Sequence, residues 1–200
     1  MVNVIDNCNI DVLDIFEAAE IWSIKIVLPF KVGYTLWGIN DVKKDDVFLC
    51  KGNKIILFSS LPALFNFIKN ENEISAFYGY KQLKNFIVEN NIVNEDIDID
   101  SFDFISVQDI ICGNDKFCNL TQCAEVLNCL NLLYDVGMTL NEKTIISTMK
   151  RGQSELANLM DTLIFLKQEK LPVLDKFDFH VICDLYTKFL KFFDERTVVL

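Results

Sequence analysis

Glycine and proline are scarce in this sequence, which has seven glycines and three prolines among 200 residues. Loops that cradle phosphate groups need several closely spaced glycines, and Gly113 has no such partners around it. Long disordered linkers are also enriched in these two residue types. The composition therefore argues against a glycine-rich nucleotide-binding loop and against an extended linker.

Histidine is rarer still, because His180 is the only one. Cys183 and Asp184 follow it at helical spacings of three and four residues, which is the arrangement of a thiol–imidazole pair with an orienting carboxylate. An activated cysteine must be accessible, however, and Cys183 falls on the apolar stripe of its helix. We therefore expect no catalytic residue, no cofactor and no enzymatic activity.

The sequence also lacks a basic leader and a long apolar run. Its most apolar window, IWSIKIVLPF, is interrupted by Lys25 and Pro29 and is shorter than a membrane span. We expect no signal peptide, no membrane partner and a cytoplasmic location. The seven cysteines are odd in number and follow no secreted framework, so we expect reduced thiols.

Four of these cysteines lie close together in sequence, at Cys112, Cys118, Cys123 and Cys129. No pair in the helical part of this segment is separated by three or four residues, so their sulfur atoms cannot converge on one ion. We predict no metal site. The cysteines are expected to pack as small apolar side chains.

Acidic residues outnumber basic ones by 29 to 19, which gives a formal net charge of −10. Such a chain is repelled by phosphate backbones, so nucleic acid is not an expected partner. Between Lys84 and Lys116 there are eight acidic residues and no basic one. This acidic segment is either a solvated rim or a docking surface for a basic partner. The predicted contact residues are Glu95, Asp96, Asp98, Asp100 and Asp103.

Hydrophobic periodicity predicts an α+β fold, with a small N-terminal antiparallel β-sheet and its helices, followed by a C-terminal helical bundle. Alternation predicts strands at 22–28 and from residue 33, and Gly52 lies in a hairpin connection between two more. Ser60 is a predicted helix N-cap. The predicted division is an α+β lobe at 1–92 and an acidic connector with a helical lobe at 93–200.

The second half has the 3.6-residue period of amphipathic helices. One apolar stripe runs from Leu120 to Tyr134 and another from Leu156 to Leu166. Thr139 and Glu142 have the spacing of a capping box for the helix between these two stripes. Pro172 is predicted to end the helix of the second stripe, and a last stripe follows at 179–193.

Residues 33–71 resemble bacterial immunity proteins of contact-dependent growth inhibition and polymorphic toxin systems. In that pattern a strand with an aromatic residue leads to a hairpin, and an F-x-S element then enters a helix. The matching elements are Trp37, the Lys51-Gly52-Asn53 turn, Phe58-Ser59-Ser60, and the apolar residues Leu64, Phe65 and Phe67. The resemblance covers about a fifth of the chain, and residues 90–200 have no counterpart in it.

The resemblance implies a non-catalytic cytoplasmic protein that neutralises a cognate secreted toxin domain. A basic nuclease is the expected toxin, because a net charge of −10 suits a cationic active-site cleft. Neutralisation would occur by occlusion of the active site or of the substrate surface. The alternative is a non-inhibitory adaptor or assembly subunit, whose partner would be hydrophobic and permanently bound.

Overall fold

The structure, a computed structural model, describes residues 12–42, 44–71, 77–90, 92, 99–113, 117 and 119–200. The helices are α1 (Val12–Ala18), α2 (Leu61–Asn70), α3 (Tyr80–Glu89), α4 (Phe104–Cys112), α5 (Leu120–Leu140), α6 (Lys143–Thr148), α7 (Glu155–Ile164) and α8 (Phe179–Glu195), with a 3-10 helix at Gln168–Lys176. The strands are β1 (Ile21–Leu28), β2 (Lys31–Ile39), β3 (Asp46–Phe48), β4 (Cys50–Lys51), β5 (Lys54–Leu57), β6 (Ser101–Asp103) and β7 (Thr197–Val199). The α+β class is confirmed, with antiparallel strands in the N-terminal part and helices in the C-terminal part.

The strands form two small sheets in the orders β3-β2-β1-β6 and β4-β5-β7. Neighbouring strands from the N-terminal part are antiparallel, whereas β6 joins β1 and β7 joins β5 in parallel. Main-chain hydrogen bonds between Tyr34 and Phe58, 2.7 and 2.8 Å long, connect the two sheets. The C-terminal part thus contributes a strand to each sheet.

Alternation in β1 places apolar side chains on both faces of the sheet. Ile24 and Ile26 point to the face that is covered by α4, α5, α7 and α8, where they join Leu130, Tyr186 and Phe193 in what we call the α5 cluster. Ile21 lies on the opposite face with Leu36, Leu64, Phe65 and Leu83 from β2, α2 and α3, in what we call the α2 cluster. Both faces of the sheet are therefore buried by helices.

The two predicted segments share the α5 cluster. Ile24 and Leu57 from the first segment and Phe104 and Leu130 from the second all belong to it. This arrangement follows from the parallel pairing of β6 with β1, because a parallel neighbour requires the chain to cross over and return. The division between residues 92 and 93 stays a prediction.

Several local predictions are confirmed. Ser60 caps α2 through its Oγ, which accepts a hydrogen bond from the N–H of Ala63 at 3.3 Å. The predicted hairpin is formed by β4 and β5, and Gly52 in its turn has a φ of 63°. Glycine adopts this left-handed conformation without the steric penalty of a side chain.

The predicted capping box at Thr139 and Glu142 is wrong. α5 continues to Leu140, so Thr139 lies inside it and its Oγ1 accepts a hydrogen bond from the N–H of Phe48 at 3.0 Å. Glu142 instead caps α6 by accepting from the N–H of Thr144 at 3.1 Å. A tertiary contact with β3 thus uses the hydroxyl that the local pattern assigned to a cap.

The helix of the second stripe also ends earlier than predicted. α7 ends at Ile164, and Pro172 lies inside the 3-10 helix that follows it. Phe165, which follows the last residue of α7, is exposed and closes the helix through a main-chain hydrogen bond to Thr162 at 3.3 Å. Proline therefore does not terminate this helix.

Candidate binding cleft

A cleft of about 440 Å³ opens where β6 and the start of α4 face α5. One wall consists of the four consecutive residues 100–103. The other wall is one side of α5, and the indole of Trp37 reaches the cleft from β2. The lining residues of α5 are Glu125, Asn128, Cys129, Asn131 and Leu132.

Two aspartates of the predicted contact segment line this cleft, with different surroundings. The Oδ1 atom of Asp103 accepts hydrogen bonds from the N–H groups of Ile105 at 3.0 Å and Ser106 at 2.9 Å. Asp103 is therefore the N-cap of α4. Asp100 has an exposed side chain, and its carbonyl oxygen accepts from the N–H of Lys25 at 2.9 Å. Asp103 thus has a structural role, whereas the carboxylate of Asp100 faces solvent.

Trp37 is held by a hydrogen bond to Asp135, which lies one turn beyond Leu132 on α5. Its Nε1 donates to Oδ2 of Asp135 at 3.1 Å. Its ring also packs against Trp22, its direct cross-strand partner, with 5.3 Å between ring centroids. These two contacts fix the orientation of an indole that is half-buried and lines the cleft.

The carboxyl group of Asp135 lies in an unusual environment. Burial, together with the negative charges of Asp46 and Asp45, raises the pKa of Asp135 to about 7, although the hydrogen bond from Trp37 acts in the opposite direction. Asp45, just before β3, and Asp46, in β3, thus both raise the pKa of Asp135. A positive charge brought close to this site would favour the ionised carboxylate.

The charged side chains that line the cleft, within the described residues, are all acidic: Asp100, Asp103 and Glu125. Their field also reaches the thiol of Cys129, whose pKa is raised to about 12 by burial and by the charges of Asp103 and Glu125. The negative charge of the cleft therefore disfavours a thiolate at Cys129.

Of the predicted contact residues, Asp100 and Asp103 lie together at this cleft. Glu95, Asp96 and Asp98 lie outside the residues that the structure describes. In the described part of this segment, β6 covers Ser101–Asp103, and Ile99 packs against the α2 cluster.

The sequence interpretation missed the residues that face this segment. Glu125, Asn128 and Leu132 share one side of α5, and their spacing of three and four residues is visible in the sequence. Asp135 continues this side by one more turn. The spacing predicts a common helix face, but it does not indicate that this face lies opposite β6.

The cysteine prediction is wrong for one pair, because Cys112 and Cys183 form a disulfide with 5.1 Å between their Cα atoms. Their reduced state was expected from the odd number of cysteines, which gives no information on contacts between α4 and α8. Cys123 and Cys129 are buried in the α5 cluster as predicted. Cys118 lies outside the described residues.

The described part of the chain contains no accessible, activated thiol that could act as a nucleophile. Cys183 is in the disulfide, so it cannot pair with His180, whose side chain is exposed. Burial raises the pKa of Cys50 to about 12 and also raises the pKa of Cys123. Across residues 12–200, apart from the undescribed positions, no three metal-binding side chains meet in one place.

A match to a protein-family model shows which family the chain belongs to. Residues 21–168, well over half of its length, match the model of the SatS C-terminal domain. This chain belongs to the SatS C-terminal domain family. The matched range contains β1 to α7, and with them every residue that lines the cleft.

A solved SatS C-terminal domain supports the same fold. Its crystal structure, described as a complex with bromine, covers 94% of this chain and 97% of its own, with a TM-score of 0.62 and 17% identity. No curated protein matches the chain significantly. The names of the matching family and of the solved structure refer to neither a toxin nor an immunity protein. None of the helices in the described ranges has the length and apolar character that crossing a bilayer requires.

Proposed function

We propose that this chain is a non-catalytic binding protein whose cleft between β6 and α5 receives a cationic side chain of a basic partner protein. The observation that carries this proposal is the lining of the cleft, where Asp100, Asp103 and Glu125 occur together with Trp37. Carboxylates attract lysine and arginine, and an indole face adds a cation–π contact of roughly 0.5–2 kcal/mol. The net charge of −10 adds long-range attraction for the same partner.

The partner that we propose is the C-terminal domain of a cognate toxin, with this chain acting as its cytoplasmic immunity protein. The immunity-protein resemblance of residues 33–71 supports this choice. Trp37, the aromatic residue of the strand in that resemblance, is also one of the two aromatic residues that line the cleft, together with Phe102. A basic nuclease is favoured among toxins, because its substrate-binding surface carries the opposite charge to this cleft.

Co-expression tests this function most directly. The toxin domain encoded immediately upstream is expressed from an inducible promoter, with or without this chain, and colony survival is counted. We expect survival only when this chain is present. Cell death in the presence of the folded chain would exclude the immunity function.

Charge reversal tests the cleft itself. The Asp100→Lys/Glu125→Lys variant should slow association with the purified toxin domain at least tenfold and lessen its salt dependence, because steering depends on the local field. The matched control, Glu169→Lys/Asp184→Lys, changes the net charge equally at exposed positions away from the cleft. Equal slowing by both variants would show that total charge acts and that the cleft does not.

The adaptor alternative is favoured by a different observation. Phe30, in the turn between β1 and β2, is 88% exposed, and Phe165, after α7, is 77% exposed. Large exposed apolar side chains suit a permanently bound hydrophobic partner. A complex that survives about 1 M salt, where ionic contacts are screened, but is lost in the Phe30→Ser/Phe165→Ser variant would favour an adaptor.

A further inference from the structure

The wall of the cleft formed by residues 100–103 is also the last strand of the first sheet in the described residues. β6 pairs with β1 on one side only, in the order β3-β2-β1-β6. Ser101 pairs with Lys25 and Phe102 with Ile26. An edge strand of this kind has main-chain N–H and C=O groups on its outer side that can bind another strand.

The main-chain groups that point outward can be identified from the register. The carbonyl of Asp100 is used by the N–H of Lys25, at 2.9 Å. Successive residues of a strand direct their main-chain groups alternately to its two edges, so those of Ser101 point away from β1. Ser101 is exposed and lines the cleft. Its N–H and C=O therefore lie on the side from which a ligand would approach.

The shape of the cleft agrees with this edge. Alternate side chains of a strand point to opposite faces, yet all four residues of 100–103 line the cleft. Consecutive residues line a cleft in this way when it runs along the edge of the strand, beside its main chain, and not across one face of the sheet. Its length of about four residues, roughly 13 Å at 3.3 Å per residue, matches the side of α5 from Glu125 to Leu132, roughly 10 Å long.

From this geometry we infer that the partner binds as an extended segment that pairs with the outer edge of β6 and places a lysine or arginine beside Trp37. This inference rests on the proposed function and specifies how the partner occupies the cleft. Main-chain hydrogen bonds to Ser101 supply affinity, and side chains on alternate positions supply selectivity. Glu125 on α5 and Asp100 on the strand select a positive charge from opposite walls.

The test uses two labelled peptides with the same alternating lysine and valine side chains. One has an ordinary backbone, and the other is methylated on every interior backbone nitrogen, so it keeps its charges but cannot donate main-chain hydrogen bonds. Binding to the full chain is measured by fluorescence anisotropy. We expect the ordinary peptide to bind at least tenfold more tightly, and its binding to slow amide exchange at Ser101.

A variant pair locates the contact. Ser101→Pro removes the outward N–H that donates to a carbonyl of the bound strand, so it should weaken binding of the ordinary peptide at least fivefold, whereas Ser101→Ala should retain it. Proline is tolerated on an edge strand when its nitrogen faces outward, and circular dichroism checks the fold. If Ser101→Pro does not fold, amide exchange at Ser101 in the unaltered chain decides the question.

The outcomes separate the two proposals. Equal binding of both peptides overturns strand addition and leaves the cationic cleft in place. No binding of either peptide overturns both strand addition and the cleft as a cation site. Tighter binding of the ordinary peptide without protection of Ser101 overturns the assignment to β6, because another sheet edge then binds it.

Discussion

The two faces of the sheet bury polar side chains in chemically different ways. On the face of the α2 cluster, the hydroxyl of Tyr80 donates to the carbonyl oxygens of Ile68 and Glu71, each at 3.3 Å. On the face of the α5 cluster, the hydroxyl of Tyr186 makes a similar contact by donating to the carbonyl oxygen of Phe104 at 3.0 Å, and Trp37 also donates to Asp135. The two tyrosine contacts join neutral groups, whereas the Trp37 contact includes a carboxyl group whose pKa is raised to about 7 by burial.

This difference indicates on which face of the sheet a partner could bind without disrupting the hydrophobic core. The α2 face is closed by α1, α2 and α3 around a neutral polar contact. The α5 face opens beside Trp37 into an acidic cleft, so an ionisable group there is partly solvated and responds to a charged ligand. The same sheet thus has a face that only stabilises the fold and a face that both stabilises it and presents a site.

The largest expected effect tests whether the two faces unfold as one unit. Leu130 in the α5 cluster and Leu83 in the α2 cluster are both fully buried. Either leucine-to-alanine change should lower the free energy of unfolding by about 2–5 kcal/mol, because it removes apolar contacts and leaves a cavity. Urea denaturation followed by fluorescence should show one transition in each variant. A second transition in Leu83→Ala alone would show that the α2 face unfolds independently.

The next effect concerns pH and belongs to the α5 face. Burial raises the pKa of Asp135 to about 7 in the folded protein, from its ordinary value of 3.8. Between these two values the folded protein retains a proton that the unfolded chain has released, so stability falls as the pH rises through this window and levels off above it. The loss of folding free energy across this window is as much as about 4 kcal/mol.

Asp135→Asn should remove this pH dependence, because the amide oxygen can accept from Trp37 without carrying a charge. The measurement is the urea midpoint at a series of pH values across the window. Tyr80→Phe is the control on the opposite face, where burial raises the pKa of the hydroxyl and keeps it protonated throughout this window. A slope that persists in Asp135→Asn would assign the pH dependence to another group.

The disulfide is a third difference between the faces, because it joins α4 to α8 in the α5 region. Cys112 and Cys183 are 71 residues apart in sequence. Cross-linking over a loop of this size restricts the unfolded chain, so Cys112→Ser/Cys183→Ser should lower the free energy of unfolding by about 2–4 kcal/mol. Reductant should destabilise the unaltered chain to the same extent and have no effect on the variant. An unaltered chain that is insensitive to reductant would contradict the prediction.

The smallest effects come from the helix caps. Asp103 caps α4 beside the cleft, and Ser60 caps α2 on the opposite face. Asp103→Ala and Ser60→Ala should each lower stability by about 1 kcal/mol, measured from urea midpoints. Asp103→Asn should retain the cap. If Asp103→Ala leaves stability unchanged, Asp103 contributes to the charge of the cleft without stabilising α4.

Local patterns predicted a substantial part of the fold. The alternation in 22–28 predicted β1, and the Ser60 pattern predicted the start of α2. These features depend on residues within one or two turns of each other, so a short window contains the information. The stripe from Leu120 to Tyr134 predicted a helix but not its buried side, because only Cys123 and Leu130 of its residues are buried. The parallel strands β6 and β7 were not predicted, because three residues in each are too few to show a periodicity.

The candidate site was predicted only at its acidic wall. Asp100 was identified because it belongs to a segment without basic residues, whereas Glu125 and Asp135 lie in a helix whose apolar side dominated the interpretation. The disulfide between Cys112 and Cys183, which are 71 residues apart, was also missed. Each of these contacts joins segments that are far apart in the chain, and no local pattern specifies which segments meet.

By itself, the sequence determined the alternation of β1, the start of α2 and the strongly acidic character of the whole chain, since these properties follow from residue identity and spacing. Only the tertiary structure decided that Asp100, Trp37 and Glu125, from three separate elements, border one cleft. The physical reason is that spacing fixes the direction of a side chain around its own axis. Its neighbour across the fold depends on how all the buried apolar faces pack together.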